Sequence, residues 1–141
     1  SIGVDATGRA LVTFRRVVPD GTEVWALRGF PDGGWAAPVL VADDVPGQNS
    51  GSHTPVRVRS DGTGLVSFAR GMAPDVAAFS SRFDPLRGFT TPERLDAPSA
   101  GVSSFDDQYG RGFANADVAV HDDGATVVWI RGNTVWGARL R

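Results

Sequence analysis

The sequence predicts an all-β chain made of three consecutive copies of one antiparallel four-stranded unit, the last copy lacking its outer strand. Three observations predict it. Glycine and proline are abundant, 18 and 9 of 141 residues, as short strands joined by tight turns require. Apolar and polar residues alternate with period two on either side of Asp/Gly turns, which is the hairpin signal. Aromatic landmarks then recur at a single spacing, and internal repeats of this length decide a fold before any local feature does.

The strands follow in order. Each copy opens on a short alternating strand, a turn and a second strand: Ile2 to Arg16, Val56 to Arg70 and Val118 to Arg131. The second strand ends in an aromatic with arginine two places on, as Phe14/Arg16, Phe68/Arg70 and Trp129/Arg131. A third strand is anchored by Trp25, Phe79 and Trp136, each followed three residues later by Arg28, Arg82 or Arg139. A fourth strand carries Gly34-Trp35-Ala36-Ala37-Pro38 in the first copy and Gly88-Phe89-Thr90-Thr91-Pro92 in the second. Phe14 to Phe68, Trp25 to Phe79 and Trp35 to Phe89 are all 54 residues, whereas Phe68 to Trp129 is 61. The units run over approximately 1–45, 54–97 and 116–141, within one domain, 1–141.

A four-stranded unit of this length has the size of one β-propeller blade, whose sheets pack face to face around a channel. The fold class expected is therefore β-propeller-like, with the first strand of each unit nearest the channel. Phe14, Phe68 and Trp129 are expected to fill the space between neighbouring sheets. The run Ile2-Gly3-Val4-Asp5-x-x-Gly8, followed by Leu11-Val12-x-Phe14-x-Arg16, Val24-Trp25-x-x-Arg28 and Gly34-Trp35-x-x-Pro38, resembles the repeat of secreted bacterial β-propellers of the broad sialidase-like, six-bladed group. The resemblance covers nearly the whole chain apart from the connections 44–54 and 97–116. It implies an extracellular or cell-surface bacterial setting. Ser60 to Phe68 is similar to the Asp-box of that group but departs from its spacing, and reads as a turn.

Three blades do not close a ring of ordinary size. The chain is thus expected to be half of a six-bladed ring, completed by a second copy as a homodimer or by missing partner blades, or else to form an open arc. It opens on Ser1 without an initiator methionine or a signal peptide, and is expected to be a mature or trimmed segment of something longer.

Composition narrows the chemistry. There is no cysteine, which excludes disulfides, thiol catalysis and cysteine-ligated zinc. A net charge of −2 argues against a nucleic-acid partner, and no apolar run approaches the roughly 20 residues that cross a bilayer, so no membrane insertion is expected. All fourteen cations are arginine, which reads as a coding bias. No phosphate loop, dinucleotide fingerprint or Gly-x-Ser-x-Gly occurs, and no cofactor is expected.

The most functional-looking residues are those that escape the repeat, because loops held by a rigid scaffold are where binding groups concentrate. They are Gln48, Asn49 and His53 in the first connection, and Asp106, Asp107, Gln108, Tyr109 and Arg111 in the second. Amides, hydroxyls and one aromatic ring suit a sugar, so a glycan ligand is expected there. The resemblance to sialidase-like enzymes implies instead a tyrosine nucleophile with arginine and acidic partners, roles for which Tyr109, Arg111, Asp106 and Asp107 are the candidates. Against that, a polar glycine-flanked insertion is more simply a connection between blades, and nothing in the spacing pairs a nucleophile with a base. The repeated arginines (Arg16, Arg70 and Arg131; Arg28, Arg82 and Arg139) read as structural, since site residues break a repeat and these obey it. His53 and His121 lack the spacing of a metal motif, and the pairs Asp43-Asp44, Asp106-Asp107 and Asp122-Asp123 read as turn chemistry. The function expected is a non-catalytic binding or scaffold module, with part of a glycoside hydrolase or a purely structural assembly repeat as the alternatives.

Overall fold

The computed structural model describes residues 1–43, 54–70, 77–95, 117–121, 123–131 and 134–141, the side chains of 130, 131 and 134 excepted. Its described elements are all strands. The first sheet is a meander of β1 (Ile2–Val4), β2 (Ala10–Val18), β3 (Gly21–Gly29) and β4 (Val39–Ala42). The second contains β5 (Val56–Val58), β6 (Gly64–Arg70) and β7 (Ala77–Asp84), with both β8 (Gly88–Phe89) and β9 (Glu93–Arg94) on the outer edge of β7. The third contains β10 (Asp117–His121), β11 (Gly124–Arg131) and β12 (Thr134–Leu140). All neighbouring strands are antiparallel.

The spacing of 54 survives as hydrogen-bond register. Phe14 opposes Trp25 as Phe68 opposes Phe79, Ile2 opposes Val12 as Val56 opposes Val66, and Trp25 opposes Leu40 as Phe79 opposes Arg94. In the third unit the aromatic pair is Trp129 and Trp136, joined by a shorter hairpin. Turn glycines repeat as well: Gly8 and Gly62 sit at φ of 84° and 86°, a left-handed conformation in which a side chain is strained.

The outer strand differs from expectation. In the first unit Trp35 makes only an isolated bridge to Gly29, and the strand proper begins at Val39, after Pro38. In the second, pairing lapses between Phe89 and Glu93, around Pro92, so one expected strand becomes two. Proline has no N–H to give to a ladder and is tolerated at sheet edges for that reason.

The sheets stack face to face in chain order, and the first strands lie together: β5 packs beside both β1 and β10. The approach there is close enough that a Cβ at Gly3 would lie 2.9 Å from Val58 Cγ2. Alternation along β6 covers the middle sheet on both faces. Val66 and Phe68 join Leu11, Val24 and Ala26 of the first sheet in one core, while Leu65 and Ala69 join Val118, Val127 and Trp129 of the third in another. Each such valine, leucine or phenylalanine contributes roughly 1.5–3 kcal/mol when fully buried. Phe68, fully buried, stacks parallel to Phe79 with ring centroids 6.1 Å apart.

Phe68 and Trp129 therefore lie between sheets, as expected, but Phe14 does not. It is half-buried on the far face of the first sheet, where no described sheet packs against it. The described sheets form a propeller-like stack without a closed ring.

Candidate functional site

The repeat places an equivalent crevice at each of the two sheet junctions. Between the first and second sheets it is walled by Ala10, Leu11, Arg28, Gly29, Val58 and Phe83 and encloses only about 50 Å³. Phe83 fills it, and the turn at Pro85 closes it: Arg28 lies over the Phe83 ring, 5.7 Å from its centroid, and donates to the Pro85 carbonyl at 3.0 Å. Between the second and third sheets the equivalent positions are Gly64, Leu65, Arg82, Phe83, Val120 and Leu140, and the cleft measures about 330 Å³. Leu140 stands where Phe83 does, and no described residue takes the place of Pro85.

This wider cleft has an apolar floor and a cationic rim. Leu65, Val120, Ala125 and Leu140 line it beside the tilted ring pair Phe83–Phe89, whose centroids are 5.0 Å apart. Arg59, Arg82 and Arg87 stand around the opening with Thr63 and Thr90. Arg59 donates to the carbonyl of Gly124 across the junction. Arg82 and Arg87 are exposed and, among the described residues, neither is in a salt bridge. The hydroxyls are committed: Thr63 Oγ1 donates to Asp61 at 2.7 Å, and Thr90 Oγ1 accepts from the Arg82 N–H at 3.0 Å.

The one carboxylate among the cleft's described residues is also committed. Asp84 Oδ1 accepts the N–H groups of Leu86 and Arg87, and these bonds, Leu86 foremost, hold its carboxyl below the usual range. It stays ionised and builds a turn, where a general acid would need the opposite shift. Asp61, Glu23 and Asp123 are likewise held down, chiefly by bonds from the side chains of Thr63, Trp25 and His121 respectively. What the cleft offers is guanidinium groups beside apolar side chains, and a guanidinium fork matches the geometry of a carboxylate or sulfate.

The candidates from the sequence fall elsewhere. Gln48, Asn49, His53, Asp106, Asp107, Gln108, Tyr109 and Arg111 all lie outside the described residues. The repeated arginines are structural where their side chains are described: Arg16 pairs with Glu23 at 2.8 Å and covers Trp25, Arg70 reaches Asp43 of the preceding sheet at 3.8 Å, and Arg139 pairs with Asp123 at 2.7 Å. Arg82 is the exception, exposed and in no salt bridge among the described residues. His121 ends β10 with Nδ1 2.6 Å from Asp123 Oδ1, and no group of three or more potential ligands gathers around it among the described residues. Arg59 and Arg87 were missed, yet the signal was present: they stand 54 residues after Asp5 and Gly33, and so break the repeat by charge.

No family model matches the chain, and neither does any curated protein. A search of solved structures finds similarity to one titled a thermostable family-43 glycoside hydrolase, at a TM-score of 0.55 and 15% identity, over 100% of this chain and 53% of that one. That likeness supports the propeller-like fold, and the six-bladed, sialidase-like type is not shown. The chain spans about half the length of the structure it matches.

Proposed function

We propose that this chain is a non-catalytic carbohydrate-binding module on a propeller scaffold, and that the cleft between the second and third sheets takes an acidic sugar. The observation that carries the reading is the rim of Arg59, Arg82 and Arg87 around an opening lined by Leu65, Val120, Ala125 and Leu140, with two of the three guanidinium groups in no salt bridge among the described residues. A sugar ring lays its C–H face on the apolar side chains, while a carboxylate or sulfate accepts from the guanidinium fork. The fold neighbour's title, a glycoside hydrolase, supports the same ligand class. An extracellular or cell-surface setting, where such polymers occur, belongs to the same proposal.

Calorimetric titration with uronic-acid and neutral oligosaccharides of equal length tests it. The acidic series is expected to bind more tightly, and Arg82→Ala or Arg87→Ala to weaken it roughly ten- to a hundredfold each, the worth of one hydrogen bond to a charged group. Equal binding of both series, or of both variants and the unaltered chain, refutes the cleft. The second reading, a glycoside hydrolase fragment, rests on the neighbour's title alone. Turnover of chromogenic glycosides above blank, lost on Tyr109→Phe, would establish it instead.

A further inference from the structure

Two hydroxyls line the cleft between the second and third sheets, those of Thr63 and Thr90, and their hydrogen bonds run in opposite senses. Thr63 closes the β5–β6 hairpin, where its backbone N–H and its Oγ1 both donate to Asp61 Oδ1, at 2.9 and 2.7 Å. The Asp61 carboxyl is held below its usual range, chiefly by the bond from the Thr63 side chain, and so stays ionised near neutrality. An ionised carboxylate only accepts, so the single proton of the Thr63 hydroxyl is committed to it. What the oxygen keeps is its remaining lone pair. Toward a bound molecule Thr63 accepts and cannot donate.

Thr90 is wired the other way. Its Oγ1 accepts the Arg82 N–H at 3.0 Å, and among the described residues no acceptor takes its proton. Arg82 and Thr90 are joined a second time by the Thr90 N–H, which donates to the Arg82 carbonyl at 2.9 Å. A hydroxyl with a proton to give thus sits on the backbone of an exposed arginine in no salt bridge among the described residues. Arg82 opposes Leu65 in register, and Thr63 lies two residues before Leu65, roughly 7 Å of strand rise away. One sugar ring with its exocyclic groups spans that interval.

We propose, resting on the acidic-sugar reading of this cleft, that Thr63 is its specificity-determining residue: it selects a uronic acid that keeps a free hydroxyl within reach of its carboxylate, and rejects one in which that hydroxyl is methylated or sulfated. The carboxylate accepts from the Arg82 guanidinium and the Thr90 hydroxyl, and the sugar hydroxyl donates to Thr63 Oγ1. An ether or sulfate oxygen in the second place sets two acceptors against each other, with the Asp61 charge behind them. Rejection of that kind comes from a mispaired polar group rather than from a weaker contact.

Calorimetric titration of the unaltered chain, Thr63→Val and Thr63→Ser tests it, with a uronic-acid trisaccharide and its deoxyfluoro analogues, one hydroxyl replaced at a time. Fluorine is close to a hydroxyl in size and cannot donate. For the unaltered chain one analogue at least is expected to bind roughly three- to tenfold more weakly than the parent, as the loss of a neutral hydrogen bond implies. Thr63→Val should weaken the parent by the same factor and abolish that analogue's penalty, whereas Thr63→Ser should keep both the affinity and the penalty. Circular dichroism checks folding, and Thr63→Ala reads the same penalty where Thr63→Val does not fold. A penalty that survives the loss of the Thr63 hydroxyl, or analogues that all bind as the parent does, overturns the role of Thr63 while leaving the acidic-sugar reading to its arginine variants. No binding of the trisaccharide, or binding indifferent to Arg82→Ala and Arg87→Ala, overturns both.

Discussion

The two sheet junctions are built from the same repeat yet end differently, one shut and the other open. Between the first and second sheets Thr13 Oγ1 donates to the Thr54 carbonyl at 2.5 Å, Arg28 reaches Pro85, and only about 50 Å³ is left. Between the second and third sheets Ser67 occupies Thr13's position with its hydroxyl buried and without a partner among the described residues, Trp129 Nε1 likewise has none among them, and about 330 Å³ stays open. The lesson is that one repeated framework holds fillers of different size at equivalent positions. Leu140 stands in place of the larger Phe83 in the wider seam, while the strands around it keep their pairing.

That contrast can be broken most severely at its walls. Leu11→Ala, at a fully buried position of the closed seam, is expected to cost about 2–5 kcal/mol in urea unfolding, whereas Leu140→Ala, lining the open cleft, should cost about 1 kcal/mol or less. Equal losses would mean that the second junction is as tightly packed as the first. The hydroxyl pair sharpens the comparison by sign. Thr13→Val strands the buried Thr54 carbonyl and should destabilise by about 1–3 kcal/mol, while Ser67→Ala removes an unsatisfied group and should be neutral or slightly stabilising. Next come the arginines. Arg28→Ala is expected to lose about 1 kcal/mol through the Pro85 bond and the Phe83 ring, and Arg82→Ala to leave the melting temperature within about 2 °C while weakening the ligand.

The smallest effect is one of pH. Burial pushes the Asp5 carboxyl up, but hydrogen bonds from the Thr7 and Arg9 side chains and their backbone N–H groups outweigh it and hold the pKa at about 2, against 3.8 unperturbed. A carboxylate with a lowered folded-state pKa stabilises above its unfolded value, and that stability is lost as pH falls from about 4 toward 2. Urea midpoints at about pH 5 and about pH 2.5 should differ less for Asp5→Asn than for the unaltered chain. The second turn carries Arg59 at that position, and Thr63 donates there to Asp61 instead.

Much of this was legible beforehand. The alternation around Phe14, Phe68 and Trp129 announced the strands, and the constant spacing announced the stack, because hydrogen-bond register copies sequence separation when turns keep their length. The interruption at Pro92 was less legible, since the sequence there reads as one strand until the lost N–H is counted. Polar connections drew attention to Tyr109 and its neighbours, whereas the cleft came from residues inside the repeat. Arg59 and Arg87 were visible only as charge changes against Asp5 and Gly33.

The sequence by itself determined the strands, their pairing and the three-unit plan, all of which follow from local alternation, turn chemistry and one repeated interval. Only the tertiary structure decided which face of each sheet is covered and which junction is left open. Covering depends on the neighbour a face meets, as Phe14 and Phe68 show by sharing a repeat position and not an environment. The cleft's volume depends likewise on side chains from two sheets at once, Phe83 in one seam and Leu140 in the other, and no single stretch of chain encodes that difference.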